Sequence, residues 1–161
     1  MQKKLIVRYL FATLSVGVML LIFFFSAQNG ETSGDLSAHF AATLKDVLSP
    51  MLSPDTVTLL IQYVRKGAHV FLYALLGVFV SVFVFTFSCK RKILLVIIPL
   101  AICFLYACMD EWHQTFVEGR DGKATDVLVD AIGFVSTTLI ANVVRLLIDR
   151  ISQVPPAKPV A

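Results

Sequence analysis

Charge and cysteine are both scarce in this chain, and each shortage closes off a class of function. Only 16% of its 161 residues are charged, against roughly 25% in an ordinary soluble domain. The formal net charge of +3 is too mild to mark a nucleic-acid surface. The cysteines Cys89, Cys103 and Cys108 have no metal or redox spacing, and the two inside an apolar run read as small buried hydrophobes. No His-Glu-x-x-His run occurs, no serine or cysteine sits in a recognisable nucleophile setting, and no internal repeat is visible. No metal and no cofactor are therefore expected.

What the chain has in abundance is apolar sequence. Hydrophobic residues make up 57% of it and the mean hydropathy is +0.80, above the roughly 45–50% apolar usage of soluble domains. These residues come in long blocks, so lipid is the solvent they fit. A hydrocarbon core of ~30 Å takes about 20 helical residues, and four stretches suffice: 9–27, 67–88, 93–112 and 127–147. Pro99 predicts a kink in the third. The first span, basic at its start, also fits a signal peptide. A cut after Ala27 would, however, place Phe25 where a small residue is needed, so it reads as an uncleaved helix. The fold class is an all-α integral membrane protein with one domain, 1–153, and a proline-rich, disordered tail, 154–161.

Basic residues set the orientation. With the N-terminus inside, nine fall on the cytoplasmic side (Lys3, Lys4, Arg8, Lys90, Arg91, Lys92, Arg145, Arg150, Lys158) and five outside (Lys45, Arg65, Lys66, Arg120, Lys123). Of the acids only Asp149 falls inside. The sequence thus predicts a multi-pass protein of the cell membrane with both termini cytoplasmic. The inner turn around Lys90-Arg91-Lys92 is about four residues long, which predicts a tight hairpin of the second and third helices. Outside, Leu36, Phe40, Leu44, Val47 and Leu48 recur at helical spacing, the pattern of an amphipathic helix between the first two spans. Ser53-Pro54-Asp55 reads as an N-cap with proline at the first helical position, from which a helix runs straight into the second span.

The polar residues gather at the outer helix ends. Arg65, His69 and Tyr73 share one helix face with Lys66 beside them. Gly77 continues the stripe and permits close helix approach. Tyr106, Asp110, His113 and Gln114 form a second stripe with Glu111 on its edge, and Asp126 and Asp130 a third, with Gly133 one turn deeper. His69 and Asp130 lie about 6 Å deeper than Arg65 and Asp126, four residues at ~1.5 Å each. A charge at mid-bilayer costs roughly 2.5–3.5 kcal/mol, so such groups face one another or a wet cavity. A polar pocket open to the outside follows, with Arg65, Lys66 and Arg120 set against Asp110, Glu111, Asp126 and Asp130.

Three runs together resemble the signature of the VanZ-like membrane proteins: 65–73 (RKGAHVFLY), 106–116 (YACMDEWHQTF), and Gly119-Arg120 with Asp126-Val127. Phe25-Ser26-Ala27-Gln28 is similar to that family's Ser-x-Gln stretch after the first helix. The family usually has Asn where this chain has Asp130, and often Pro where it has Glu118. The resemblance implies a small bacterial envelope protein, in a family whose named member gives low-level resistance to the glycopeptide teicoplanin.

Two functions stay open at this point. One is a non-enzymatic envelope factor, with Arg65, Lys66, Tyr73, Gln114, Arg120, Asp126 and Asp130 binding a lipid-linked cell-wall intermediate, an anionic head group or a lipoglycopeptide tail. The other is a membrane enzyme, hydrolase or transferase, with Asp110, Glu111 and His69 as acid/base groups acting on such a substrate. Membrane lipids are the expected partners, and no nucleic acid is expected. A transporter fits less well, since four helices are few and ionisable groups stop near one leaflet. Polar contacts that merely lock the helices in register remain the plainest alternative.

Overall fold

The computed structural model describes residues 2–27, 42–44, 46–87, 89, 91–117 and 122–153. It contains four long helices: α1 (Gln2–Ser26), α2 (Pro54–Phe85), α3 (Leu94–Gln114) and α4 (Ala124–Ile151). All four are long and apolar enough to cross a membrane. Exposed Leu20, Phe24, Leu105, Ile132 and Ile140 cover the outside of the bundle. Such a surface is unfavourable in water but costs nothing against lipid tails, which are as apolar as leucine.

Helix α2 begins at the punctuation that the sequence announces. The Ser53 hydroxyl accepts the Thr56 N–H at 3.4 Å and Pro54 opens the helix. At 32 residues, α2 is about 48 Å long and therefore exceeds the hydrocarbon core. Its far end is sealed by Thr86, whose hydroxyl donates to the Phe83 carbonyl at 2.7 Å. Arg8 of α1 fixes this end: Nε donates to Thr86 Oγ1 and Nη2 to the Thr86 carbonyl, both at 3.1 Å, with the guanidinium 4.0 Å from the Phe87 ring centre. The α2–α3 connection covers residues 86–93, longer than the four-residue turn expected. The amphipathic pattern at 35–48 lies largely outside the described residues, where only 42–44 and 46–48 are seen to be helical. The tail at 154–161 lies outside them altogether.

The helices run alternately up and down. Lys66 near the start of α2 meets Asp126 near the start of α4, while Ser26 at the end of α1 meets Asp110 near the end of α3. α2 packs against all three other helices, and among the described residues α1 packs on α2 and α3. The core between them holds Ile22, Tyr73, Leu76, Cys103, Ala107 and Phe134. Where α2 crosses α4, Gly77 and Gly133 bring the backbones together. A Cβ on Gly133 would lie 2.3 Å from the Val70 carbonyl oxygen, and one on Gly77 would lie 2.9 Å from Phe134 Cα. The Thr137 hydroxyl donates across this crossing to the Ala74 carbonyl at 2.9 Å.

Candidate functional site

The polar ends of α2, α3 and α4 enclose a cavity of 340 Å³, within the roughly 300–1,000 Å³ of small-ligand sites. α2 contributes Gln62, Arg65, Lys66 and His69 to its wall, α3 contributes Glu111 and Gln114, and Lys123, Asp126, Val129 and Asp130 close it at α4. Each set is a helical stripe, because residues three and four apart share a face. The structure thus brings Arg65, Lys66, His69, Glu111, Gln114, Asp126 and Asp130 to one wall. Two residues singled out by sequence are placed beneath it: Tyr73, with no exposed surface, and Asp110, 3% exposed. Arg120 lies outside the described residues.

At the mouth, Lys66 Nζ bonds Asp126 Oδ1 at 2.7 Å, with the two side chains 50% and 29% exposed. Such open pairs contribute at most ~1 kcal/mol. Lys66→Met should therefore shift thermal unfolding in detergent only slightly. A loss of several kcal/mol would mean that this pair holds the bundle together. Arg65 is exposed beside it and forms no ion pair with any described residue.

Below the mouth the contacts become directional. Asp110 Oδ2 accepts hydrogen bonds from Ser26 Oγ at 2.9 Å, Gln114 Nε2 at 3.2 Å and the Tyr73 hydroxyl at 3.4 Å. Its other oxygen, Oδ1, is buried without a partner among the described residues. Asp130 is also 3% exposed, and its Oδ2 is likewise unpartnered. Gln114 has two N–H bonds to share among Asp110, Glu111 Oε1 at 3.2 Å and Ser26 Oγ at 3.4 Å. Glu111 is fully engaged, since its Oε2 accepts the backbone N–H of Lys123 at 2.8 Å. This bond pins the chain entering α4 against α3. The approach is so close that a Cβ on Gly122 would lie 2.3 Å from the Glu111 carbonyl oxygen. His113 takes no part in the cavity wall and instead stacks on Phe23, with ring centres 4.6 Å apart.

Within the expected pocket, one trio comes closer together than the stripes alone specify. His69, Asp110 and Asp130, from three different helices, each offer a ligand atom within 4.8 Å of the others. An imidazole and two carboxylates are a chemically competent donor set for a divalent ion. The sequence places each of the three in the outer pocket, but positions 69, 110 and 130 make no short motif that would set the trio apart from its neighbours. Ser26, Gln62 and Lys123 also belong to the site without having been singled out for it. The signal for Ser26 was its place in the Ser-x-Gln stretch, and for Gln62 its spacing of i−3 from Arg65.

These features define a protein with four membrane-spanning-type helices among the described residues and a cluster of acidic and basic side chains around a cavity at one end of the bundle. The chain belongs to the VanZ/LLP1 family, whose model matches residues 11–145. No curated protein and no solved structure matches it.

Proposed function

We propose that the cavity faces the outer leaflet and receives the phosphate- or carboxylate-bearing head group of an envelope lipid or lipid-linked cell-wall intermediate. The observation that carries this reading is Arg65, which lines a cavity of polar side chains and forms no ion pair with any described residue. Guanidinium groups suit bidentate contact with phosphate and carboxylate. Lys66 and Lys123 add positive charge at the same mouth. The positive-inside bias supports the outward orientation, with basic clusters at the opposite helix ends. The cavity volume suits a head group while the acyl chains stay in the surrounding bilayer.

The test is the lipid load of protein purified from its native membrane. Native mass spectrometry should show an anionic lipid retained by the wild type, with occupancy falling about tenfold in the double variant Arg65→Gln, Lys66→Gln. A shift of that size corresponds to ~1.4 kcal/mol. Equal loading of wild type and variant would refute the reading. Because the family resemblance extends to a teicoplanin-resistance protein, deleting the gene should also lower the inhibitory concentration of teicoplanin.

A membrane enzyme acting on the same head group is the second reading, favoured by the placement of His69 against Asp110 and Asp130 below the rim. Glu111 fits an acid/base role less well, since both its oxygens are occupied by Gln114 and the Lys123 N–H.

A further inference from the structure

Two buried carboxylates stand at the floor of the cavity with no ion pair to any cationic side chain among the described residues. Asp110 and Asp130 are each 3% exposed. Among the described residues neither makes an ion pair with a lysine, arginine or histidine, and Lys66 is already engaged by Asp126. Burying such charge without compensation is strongly unfavourable, and buried charges are normally paired or bound to metal. Each carboxylate nevertheless keeps one buried oxygen free, Asp110 Oδ1 and Asp130 Oδ2. The third member, His69, brings an imidazole to within 4.8 Å of both.

We infer that His69, Asp110 and Asp130 form a binding site for a divalent transition-metal ion of the Zn²⁺ or Mn²⁺ kind. Mixed imidazole and carboxylate donors select this class over Mg²⁺ or Ca²⁺, which prefer all-oxygen sites. The ligand atoms of a four-coordinate site with bonds of about 2.0–2.1 Å lie roughly 3.3 Å apart. The three groups therefore close on the ion by small side-chain rotations. Asp110 is prepared for the role, because Ser26, Tyr73 and Gln114 all bind its Oδ2 and leave Oδ1 for the ion. Hydrogen bonds of this kind typically orient metal-binding carboxylates. Glu111 is not among the three residues whose ligand atoms converge, and its oxygens bind Gln114 and the Lys123 N–H instead.

The position of the site relative to the cavity gives the ion a use. His69 and Asp130 line the cavity while Asp110 stands behind them. With three protein ligands, a coordination position stays open, and here it faces the cavity. This deepens the head-group reading and rests on it: an anionic oxygen of the head group completes the coordination while Arg65 and Lys66 hold the remaining charge.

The full-length protein, purified in detergent and treated with EDTA, is titrated with Zn²⁺ and separately with Mn²⁺. We expect close to one ion per chain by elemental analysis after desalting, and a rise in melting temperature on addition of either ion. Asp130→Asn, which keeps shape and folding, should weaken binding at least tenfold, and His69→Ala should abolish the thermal shift. His113→Gln, altering a histidine outside the cluster, should bind like the wild type. Failure of the wild type to bind either ion would overturn the inference and leave a shared proton as what neutralises the carboxylates. Equal binding by wild type and Asp130→Asn would overturn it as well, assigning the ion to another place. The lipid-load experiment reads the head-group proposal separately: stoichiometric metal with lipid occupancy unmoved by the Arg65 and Lys66 substitutions would remove that proposal alone.

Discussion

Replacing Gly133 with leucine should prevent the bundle from assembling, and alanine at the same position should destabilise it by about 3 kcal/mol or more. The Cβ that either residue adds would lie 2.3 Å from the Val70 carbonyl oxygen and 3.0 Å from the Ala74 nitrogen. Both obstacles are helix backbone, which cannot rotate aside as a side chain can. Relief requires α2 and α4 to separate, and that breaks the Thr137–Ala74 hydrogen bond. Overpacking of well-filled cores costs typically 1–3 kcal/mol, occasionally more, and a clash against backbone belongs at the upper end. In membranes, close approach through small residues is itself a main source of helix association. The paired controls are Gly17→Ala and Gly67→Ala, where an added Cβ meets nothing within 4 Å. Those variants should unfold at or slightly above the wild-type temperature, gaining up to ~1 kcal/mol in helix propensity. A Gly133→Ala protein as stable as the Gly17→Ala protein would show that the crossing is looser than described.

Glu111→Ala should free the chain entering α4 and cost ~2–3 kcal/mol. Glu111 is 7% exposed, and its carboxylate takes the Lys123 N–H on one oxygen and Gln114 on the other. Hydrogen bonds to charged groups contribute about 1.5–3 kcal/mol, and an orphaned donor adds its own desolvation cost. Glu111→Gln, which keeps a carbonyl oxygen of the same shape, should recover most of the loss. Hydrogen exchange at Lys123 and neighbouring amides is the direct readout, and should accelerate in Glu111→Ala far more than at the centre of α4. Uniform acceleration along α4 would mean that Glu111 supports the whole helix rather than its entrance. Since Lys123 is part of the cavity wall, the same variant should also lose lipid retention.

Much of this architecture is written locally in the sequence. Four apolar runs fix four helices because each must satisfy its backbone polar groups internally. Ser53-Pro54 marks the start of α2 because a cap and a fixed proline φ are short-range features. The stripes Arg65/His69/Tyr73 and Asp126/Asp130 are equally local, so their arrival at one cavity follows from helix periodicity and depth. The trio His69, Asp110 and Asp130 was not legible in this way. Its distances depend on how α2, α3 and α4 rotate about their axes, and the close crossing at Gly77 and Gly133 sets that rotation. The stripe puts Asp110 on the face and Glu111 on its edge, but not their different roles: one supports the loop and the other keeps an oxygen free. The α2–α3 connection is longer than the expected four residues because α2 ends at Phe85 and α3 starts at Leu94, and the long-range bonds from Arg8 to Thr86 at that end leave no local pattern in the sequence.

The bond from Ser26 to Asp110 joins residues 84 positions apart, and it bears on the order in which the molecule is built. Helices enter a membrane in the sequence in which they are synthesised, so an acidic residue must be sheltered by whatever has already arrived. By the time α3 is made, Ser26 of α1 and Tyr73 of α2 are present, and Gln114 comes on the same helix. Asp110 therefore finds its three donors at once, and with His69 forms two-thirds of the cluster before α4 exists. Asp130 is the last member of the cluster to enter, and it comes to a bundle in which His69 and Asp110 are already seated. The three-residue cluster is complete only when α4 docks, so its geometry depends on the last helix of the bundle as much as on the first three.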